Sequence, residues 1–112
     1  VVVHLGLIHA SRERQVQQIG AMLAREVPAG EPLVVAGDFN DWGQRLHQAM
    51  AAFGLRTFEG IRHATYPSRL PLLHLDRIYT RGLRPLSAHV PHGGNWARLS
   101  DHLPLIAELA FE

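Results

Sequence analysis

The chain has 112 residues, of which 46% are hydrophobic and 19% charged, a composition typical of one small globular domain. Eleven basic and ten acidic residues give a net charge of +1. This balance excludes a general nucleic-acid-binding or membrane-binding surface, so any such contact must be local. No cysteine is present, which excludes disulfides and thiolate metal sites and favours a reducing compartment such as the cytoplasm.

The first half of the chain predicts a strand, a helix, a strand and a second helix. The apolar run Val1–Leu5 predicts a buried strand, and because it opens without a methionine we expect the chain to be part of a longer one. A helix capped by Ser11 is predicted over about residues 12–27, where apolar residues recur at helical spacing. After the strand that begins at Leu33, Asp41 can cap a helix that continues to about Ala52. This order predicts two parallel strands joined by a crossover helix.

The second half of the chain predicts short strands separated by turns. Thr65–Pro67 is a short strand or edge, Leu72–Thr80 a strong strand and Leu86–Val90 a weaker one. A final strand is predicted over Leu103–Phe111. Because Pro104 cannot donate a backbone hydrogen bond, we expect either an edge strand or a proline at the first position of the strand. The expected class is α/β, continuing into antiparallel β structure.

Polar residues follow the central strand directly. The run Leu33-Val34-Val35-Ala36 ends at a glycine, and Asp38 and Asn40 follow two residues apart. In an extended backbone such residues point to the same side, so both can face one point beyond the strand end. A carboxylate can accept a proton or orient water, and an amide can bind an oxyanion.

Further polar residues also lie at strand ends, and each has an ordinary structural explanation. A lone histidine such as His4 is more often a hydrogen-bonded core residue, and Asp76 could simply pair with an arginine. Asp38 and Asn40 could be turn and capping residues, and Asp101 with His102 could form an ordinary turn. Placing all six at apolar strand ends is costly without a function.

The six residues together contain the groups needed to activate water. They supply an Asp–His pair for general base catalysis, carboxylates for a hard divalent cation and donors for a phosphoryl oxyanion. The sequence contains no cysteine nucleophile, Gly-x-Ser-x-Gly motif, P-loop or His-x-x-x-His zinc spacing.

Four motifs in order resemble the endonuclease/exonuclease/phosphatase superfamily. They are Val-Val-His4-Leu followed by Arg14-x-x-Gln17, then Gly37-Asp38-Phe39-Asn40, Leu75-Asp76-Arg77-Ile78 and Ser100-Asp101-His102-x-Pro104. The superfamily includes deoxyribonucleases, abasic-site endonucleases, bacterial sphingomyelinases and inositol-polyphosphate 5-phosphatases. The resemblance implies the second half of a four-layer αββα sandwich, as one mixed sheet with two helices on one face.

The resemblance also implies a role for each motif residue. His102 would be the general base or a phosphate-contacting histidine oriented by Asp76. Asp38 would position or deprotonate the attacking water, with help from Asn40. His4 would be a second phosphate-contacting histidine. Asp101 would lie near a Mg²⁺ or Mn²⁺ ion that assists hydrolysis of a phosphodiester or phosphomonoester.

The chain departs from the family pattern because it matches only the second half of the domain. The first half normally brings an asparagine and the principal metal-binding glutamate, and no stretch of this sequence matches either. We therefore expect residues 1–112 to be a C-terminal half that is inactive alone. Its partner would be the missing N-terminal half or a second copy bound by self-association.

The sequence does not define the substrate. Trp96 and Arg98 precede the Ser-Asp-His motif and could contact substrate, but Trp96 could equally plug the edge of the core. The net charge of +1 gives no indication of a nuclease, so a lipid phosphodiesterase of the sphingomyelinase type is one alternative. A catalytically inactive interaction module with the same fold is the other.

Overall fold

A computed structural model of the chain describes residues 1–6, 9–40, 46–58 and 63–112. Helices and strands alternate in its first half, and strands dominate its second half. The elements are β1 (Val2–His4), α1 (His9–Glu26), β2 (Leu33–Asp38), α2 (His47–Ala52), β3 (Asp76–Arg81), β4 (Leu83–His89), α3 (Trp96–Leu99) and β5 (Ile106–Phe111). The predicted α/β class, continuing into antiparallel β structure, is confirmed.

Three strands form a mixed sheet in the order β1-β2-β3. β1 pairs with β2 in parallel, as the intervening helix predicts. β3 returns antiparallel on the other side of β2, with Leu33 opposite Arg81 and Asp38 opposite Asp76. The central strand predicted from its apolar run is therefore central in the structure.

β4 and β5 form a second, two-stranded antiparallel sheet. The mixed sheet was predicted correctly, but these two strands pair with each other instead of joining it. Gly82 lies between β3 and β4 with a φ of 74°, a left-handed conformation that lets the chain turn there. β4 also begins before the predicted Leu86, and its pairing with β5 shifts register between Pro85 and Ser87 because proline donates no backbone hydrogen bond.

Both longer helices pack on one face of the mixed sheet. Along β2 the residues that point to this face are Leu33 and Val35, and Tyr79 lies opposite Val35 on β3. The buried core lies between this face and the helices α1 and α2. Its residues are Leu5, Val16, Leu23, Leu33, Val35, Phe39, Leu46, Met50, Leu55 and Tyr79. Residues of β2 at even positions, including Asp38, point to the opposite face.

Several predicted boundaries shift. α1 begins at His9, so Ser11 lies inside the helix and is not its N-cap. The predicted cap Asp41 lies outside the described residues, and α2 begins at His47. β3 begins at Asp76 instead of Leu72, because Leu73 pairs with Tyr66 as an isolated bridge in a tight connection.

The strand after Pro104 also begins later than predicted. β5 starts at Ile106 instead of Leu103, as Pro104 cannot donate to a ladder. The short helix α3, which the sequence did not predict, precedes the Ser-Asp-His motif.

Gly37 allows β1 to approach β2 closely. Its φ is 141°, and a Cβ built on it would lie 2.0 Å from the carbonyl oxygen of Val3. We expect Gly37→Ala to lower the free energy of unfolding by about 2–4 kcal/mol, since either the backbone or the strand pairing must shift. Urea denaturation of the complete protein measures this change. The control is Gly30→Ala, because nothing lies within 4 Å of a Cβ at Gly30, and an equal effect of the two variants would contradict the explanation.

Candidate active site

Strand register places three of the predicted site residues in one row across the mixed sheet. His4 of β1 lies opposite Asp38 of β2, and Asp38 lies opposite Asp76 of β3. Residues directly opposite each other point to the same face, so all three side chains share the face away from the helices. Like charges opposite each other are unfavourable in a sheet, which indicates that the Asp38–Asp76 pair serves a purpose other than sheet stability.

The imidazole of His102 lies between the two carboxylates. Its Nδ1 atom is 2.6 Å from Oδ2 of Asp76, and its Nε2 atom is 3.5 Å from Oδ2 of Asp38. The short contact assigns the Nδ1 proton as a donor to Asp76. Nε2 is therefore left to accept a proton from a molecule in front of it, in the manner of a base oriented by a carboxylate.

The surroundings of His102 favour its protonated form. Burial lowers the pKa of the imidazole, but the hydrogen bond to Asp76 and the negative charges of Asp76, Asp38 and Asp101 together outweigh burial. The pKa of His102 is therefore raised above its ordinary value of 6.5. The raised pKa makes Nε2 a stronger base once it is deprotonated.

Asp38 has one oxygen engaged by the backbone and the other directed to the open site. Its Oδ1 accepts the backbone N–H of Asn40 at 2.8 Å, a local turn that holds the carboxylate in place. Its Oδ2 lies between two imidazoles, 3.6 Å from Nε2 of His4 and 3.5 Å from Nε2 of His102. Both contacts exceed an ordinary hydrogen bond, so this oxygen keeps the capacity to bind water.

Asn40 joins the ends of β1 and β2. It has a φ of 48° and is buried, and its side-chain amide donates to the carbonyl oxygen of Leu5. The backbone N–H of Leu5 in turn donates to the carbonyl oxygen of Asp38 at 2.8 Å. Asn40 thus fixes the position of the Asp38 loop relative to the strand that carries His4.

A cavity of about 650 Å³ opens in front of these groups. Its described lining contains all six residues that the sequence singled out together with apolar and backbone surface: His4, Leu5, Gly6, Asp38, Asn40, Tyr66, Leu75, Asp76, Asp101 and His102. The side chain of His4 is 78% exposed, so the structural interpretation of His4 as a core residue is wrong. Asp101 is exposed at the rim.

Sequence reasoning missed Thr65 and Tyr66 beside His102, and it gave no role to Ser100 of the Ser-Asp-His motif. The fully buried Thr65 donates its hydroxyl to Oδ2 of Asp76 at 2.6 Å. The ring of Tyr66 lies 4.9 Å from that of His102, between centroids. Ser100 accepts the backbone N–H of His102 through its hydroxyl at 3.1 Å. The pattern Thr-Tyr-Pro gave no signal of its own, because the partners of Thr65 and Tyr66 are 11 and 36 positions distant in the sequence.

Trp96 and Arg98 lie apart from the cavity lining. Both are on α3 and exposed, Trp96 by 39%, and neither is among the described residues that line the cavity. The alternative that Trp96 fills the edge of the core is wrong, because its side chain is one of the exposed large apolar side chains.

The described residues fit a divalent cation only in part. Asp38, Asp76 and His102 each offer one ligand atom, and these atoms lie within 4.8 Å of one another. However, Oδ2 of Asp76 already accepts two hydrogen bonds at 2.6 Å, from Thr65 and His102. The three residues therefore form a hydrogen-bonded Asp–His–Asp arrangement and not a complete set of cation ligands, and the described cavity lining contains no glutamate.

The fold and the site define a class of protein. Residues 1–102 match the sequence profile of the Endonuclease/Exonuclease/phosphatase family. The chain belongs to this family, whose members are hydrolases and generally use divalent metals. The resemblance in its four motifs is confirmed.

The chain is also similar to particular proteins. It is 41% identical to the uncharacterized protein YbhP of Escherichia coli K12, over 96% of this chain and 44% of that protein. A functionally unknown conserved protein from Enterococcus faecalis has a similar structure, with a TM-score of 0.79 and 27% identity over 99% of this chain and 49% of its own. An endonuclease/exonuclease/phosphatase from Bacteroides vulgatus gives a TM-score of 0.80 with 24% identity, over 97% of this chain and 48% of its own.

Two structures of lower sequence identity share the fold, and their names mention a substrate or a product. A mannosyl-6-phosphatase of Bacteroides thetaiotaomicron has a TM-score of 0.73 and 19% identity, over 98% of this chain and 50% of its own. Zebrafish TDP2 in complex with a single-strand DNA product has a TM-score of 0.63 and 16% identity, over 96% and 54%. The chain thus spans about half the length of the proteins it matches. No helix in the described ranges is long and apolar enough to cross a membrane.

Proposed function

We propose that this chain carries the water-activating residues of a phosphoesterase, one that hydrolyses a phosphodiester or phosphomonoester. The observation that supports the proposal most strongly is the imidazole of His102 held between Asp76 and Asp38 at the cavity. An oriented base beside a second carboxylate is suited to attack by water, and the chain has no cysteine to serve as a covalent nucleophile.

In the proposed reaction, water binds at Oδ2 of Asp38 within reach of Nε2 of His102. Nε2 accepts a proton as the water oxygen attacks phosphorus, and Asp76 stabilises the imidazolium that forms. His4, exposed on the other side of Asp38, is placed to donate a hydrogen bond to a phosphoryl oxygen. Asn40 positions the loop that carries the carboxylate. As the P–O bond to the leaving group breaks, the leaving oxygen takes up a proton from solvent water, and His102 afterwards returns its proton to solvent.

A divalent cation, Mg²⁺ or Mn²⁺, belongs to the same proposal. When bound, it would stabilise negative charge on the phosphoryl oxygens and the leaving group. Of the described residues, Asp101 at the rim of the cavity would lie near such an ion. The remaining ligands, including the glutamate expected in this family, would come from an N-terminal half. We propose that residues 1–112 are the C-terminal half of the domain, completed by that half or by a partner.

The class of substrate is a phosphoester of DNA, RNA, a phosphosugar or a lipid. Structures that share the fold include a mannosyl-6-phosphatase and a protein bound to a single-strand DNA product, so these substrate classes are tested beside the sphingomyelinase-like alternative. A catalytically inactive interaction module is the less favoured alternative, since all six candidate groups converge on one cavity.

A parallel hydrolysis screen tests the proposal. The complete protein is incubated with DNA, RNA, sugar phosphates, inositol phosphates and sphingomyelin, in Mg²⁺, in Mn²⁺ and after chelation. We expect hydrolysis of at least one class, lost on chelation and restored by added metal. A nuclease would also lose affinity steeply as salt rises, because each phosphate contact releases counterions.

Three outcomes of the screen separate the alternatives. Hydrolysis of sphingomyelin alone would favour the lipid phosphodiesterase. Turnover that survives chelation would contradict the metal requirement but not the role of His102. Inactivity of the complete protein on every substrate in both metals would contradict the proposal and favour the interaction module.

A further inference from the structure

The segment that carries Thr65 and Tyr66 packs directly beside the loop that carries His102. The backbone N–H of Leu103 donates to the carbonyl oxygen of Thr65 at 2.7 Å. The Ser68 backbone N–H donates to the carbonyl oxygen of Asp101 at 2.7 Å. The Ser68 hydroxyl donates to the carbonyl oxygen of Ser100 at 2.8 Å. These bonds hold the His102 loop on both sides of the imidazole.

We propose that Thr65 and Tyr66 are positioning residues that fix the Asp76–His102 pair in its reactive geometry. This inference rests on the proposed function, because it names residues that act on the base of that reaction through hydrogen bonding and ring contact. Neither residue belongs to the four motifs that identify the family in the sequence.

Thr65 restrains the carboxylate of Asp76. Its side chain is completely buried, and its hydroxyl donates to Oδ2, the same oxygen that accepts from Nδ1 of His102, with both distances at 2.6 Å. The terminal torsion of an aspartate is otherwise broad. Two donors on one oxygen restrict that torsion, so the carboxylate keeps the orientation that receives the Nδ1 proton.

Tyr66 restrains the imidazole itself. Its ring centroid lies 4.9 Å from that of His102 with the planes inclined by 45°, a distance at which aromatic rings attract each other. The Tyr66 ring also lines the cavity. Its position beside the imidazole restricts rotation of the imidazole toward Tyr66. Thr65 and Tyr66 therefore act on the two members of the pair from adjacent positions in the chain.

The test combines spectroscopy with kinetics on the complete protein. In Thr65→Val the hydroxyl is lost with little change in shape, and in Thr65→Ser it is kept. We expect Thr65→Val to weaken or remove the downfield Nδ1–H resonance of His102. We also expect it to lower kcat by about tenfold to a hundredfold with KM within about twofold, because a displaced base affects the chemical step more than binding. Thr65→Ser should restore both.

Tyr66 has its own matched pair. Tyr66→Phe keeps the ring and should retain the wild-type kcat, whereas Tyr66→Leu removes the ring contact and should lower kcat by about tenfold. Equal kcat in Tyr66→Leu and Tyr66→Phe would contradict the role of the ring. Thermal melting of each variant shows whether the fold is retained.

The outcomes separate this inference from the proposed function. A wild-type Nδ1–H resonance and kcat in folded Thr65→Val would overturn the role of Thr65. If that variant does not fold, Thr65→Ala, which also removes the hydroxyl, takes its place with the same two readouts. If the complete protein hydrolyses no phosphoester, the proposed function fails, and the Nδ1–H resonance still decides whether Thr65 orients the pair.

Discussion

We expect His102→Ala to lower kcat of the complete protein by about 10³- to 10⁴-fold, because it removes the base between Asp76 and Asp38. Asp38→Ala should have an effect of similar size, since it removes the carboxylate that positions the attacking water. The two residues act on one water molecule, so the double variant should lose little more than either single variant. Steady-state hydrolysis of the substrate found in the screen measures all three.

The fold should be retained in these variants. Both side chains line the cavity, with 24% and 13% of their surface exposed, and neither belongs to the buried apolar core. His89→Ala is the matched control, because His89 is an exposed histidine on β4 outside the described cavity lining. Turnover near wild type in His102→Ala or Asp38→Ala would overturn the assigned roles, as would an equal loss in His89→Ala.

A second large effect is expected from pH. A general base acts only when deprotonated, so kcat/KM should rise with pH, about tenfold per unit, and level off above the pKa of His102. Because the hydrogen bond to Asp76 and the nearby carboxylates raise this pKa, the midpoint should lie above 6.5. Asp76→Asn removes a charge and the carboxylate acceptor, so it should lower both the midpoint and the plateau.

The direction of the pH profile also distinguishes the two roles left open for His102. If the imidazole contacts phosphate as a cation, kcat/KM should fall instead of rise as pH passes its pKa. The same raised pKa stabilises the folded state below the unfolded pKa, and that contribution is lost as pH rises through the folded value. Rates and unfolding free energies should therefore change in opposite directions across this pH range if His102 is the base.

The six candidate residues could be found from the sequence because each lies at the end of an apolar run. Asp38 and Asn40 follow β2, and the alternation of an extended strand directs them to one side. The βαβ order also predicted that β1 and β2 are parallel, which brings the end of β1 beside the end of β2. That the six residues lie close together was therefore partly predictable, although the prediction needed four separate motifs.

Other features depended on contacts between distant segments. Whether His4 is buried or exposed was not predictable, because β1 is an edge strand of the described sheet, and only the completed sheet determines the environment of its end. The separate pairing of β4 with β5 followed from the turn at Gly82. A short motif such as Thr65-Tyr66-Pro67 looks like ordinary edge structure until its neighbours are known.

The sequence by itself determined the class of the protein, the apolar core face of β2 and the identity of the six polar groups, since these depend on local periodicity and on motifs read along the chain. Only the tertiary structure decided how those groups act on one another. Strand register and loop packing determine which groups donate hydrogen bonds to Asp76. They also determine the raised pKa of His102 and the contacts of Thr65 and Tyr66. Those distances join residues up to 64 positions apart, and no local pattern encodes them.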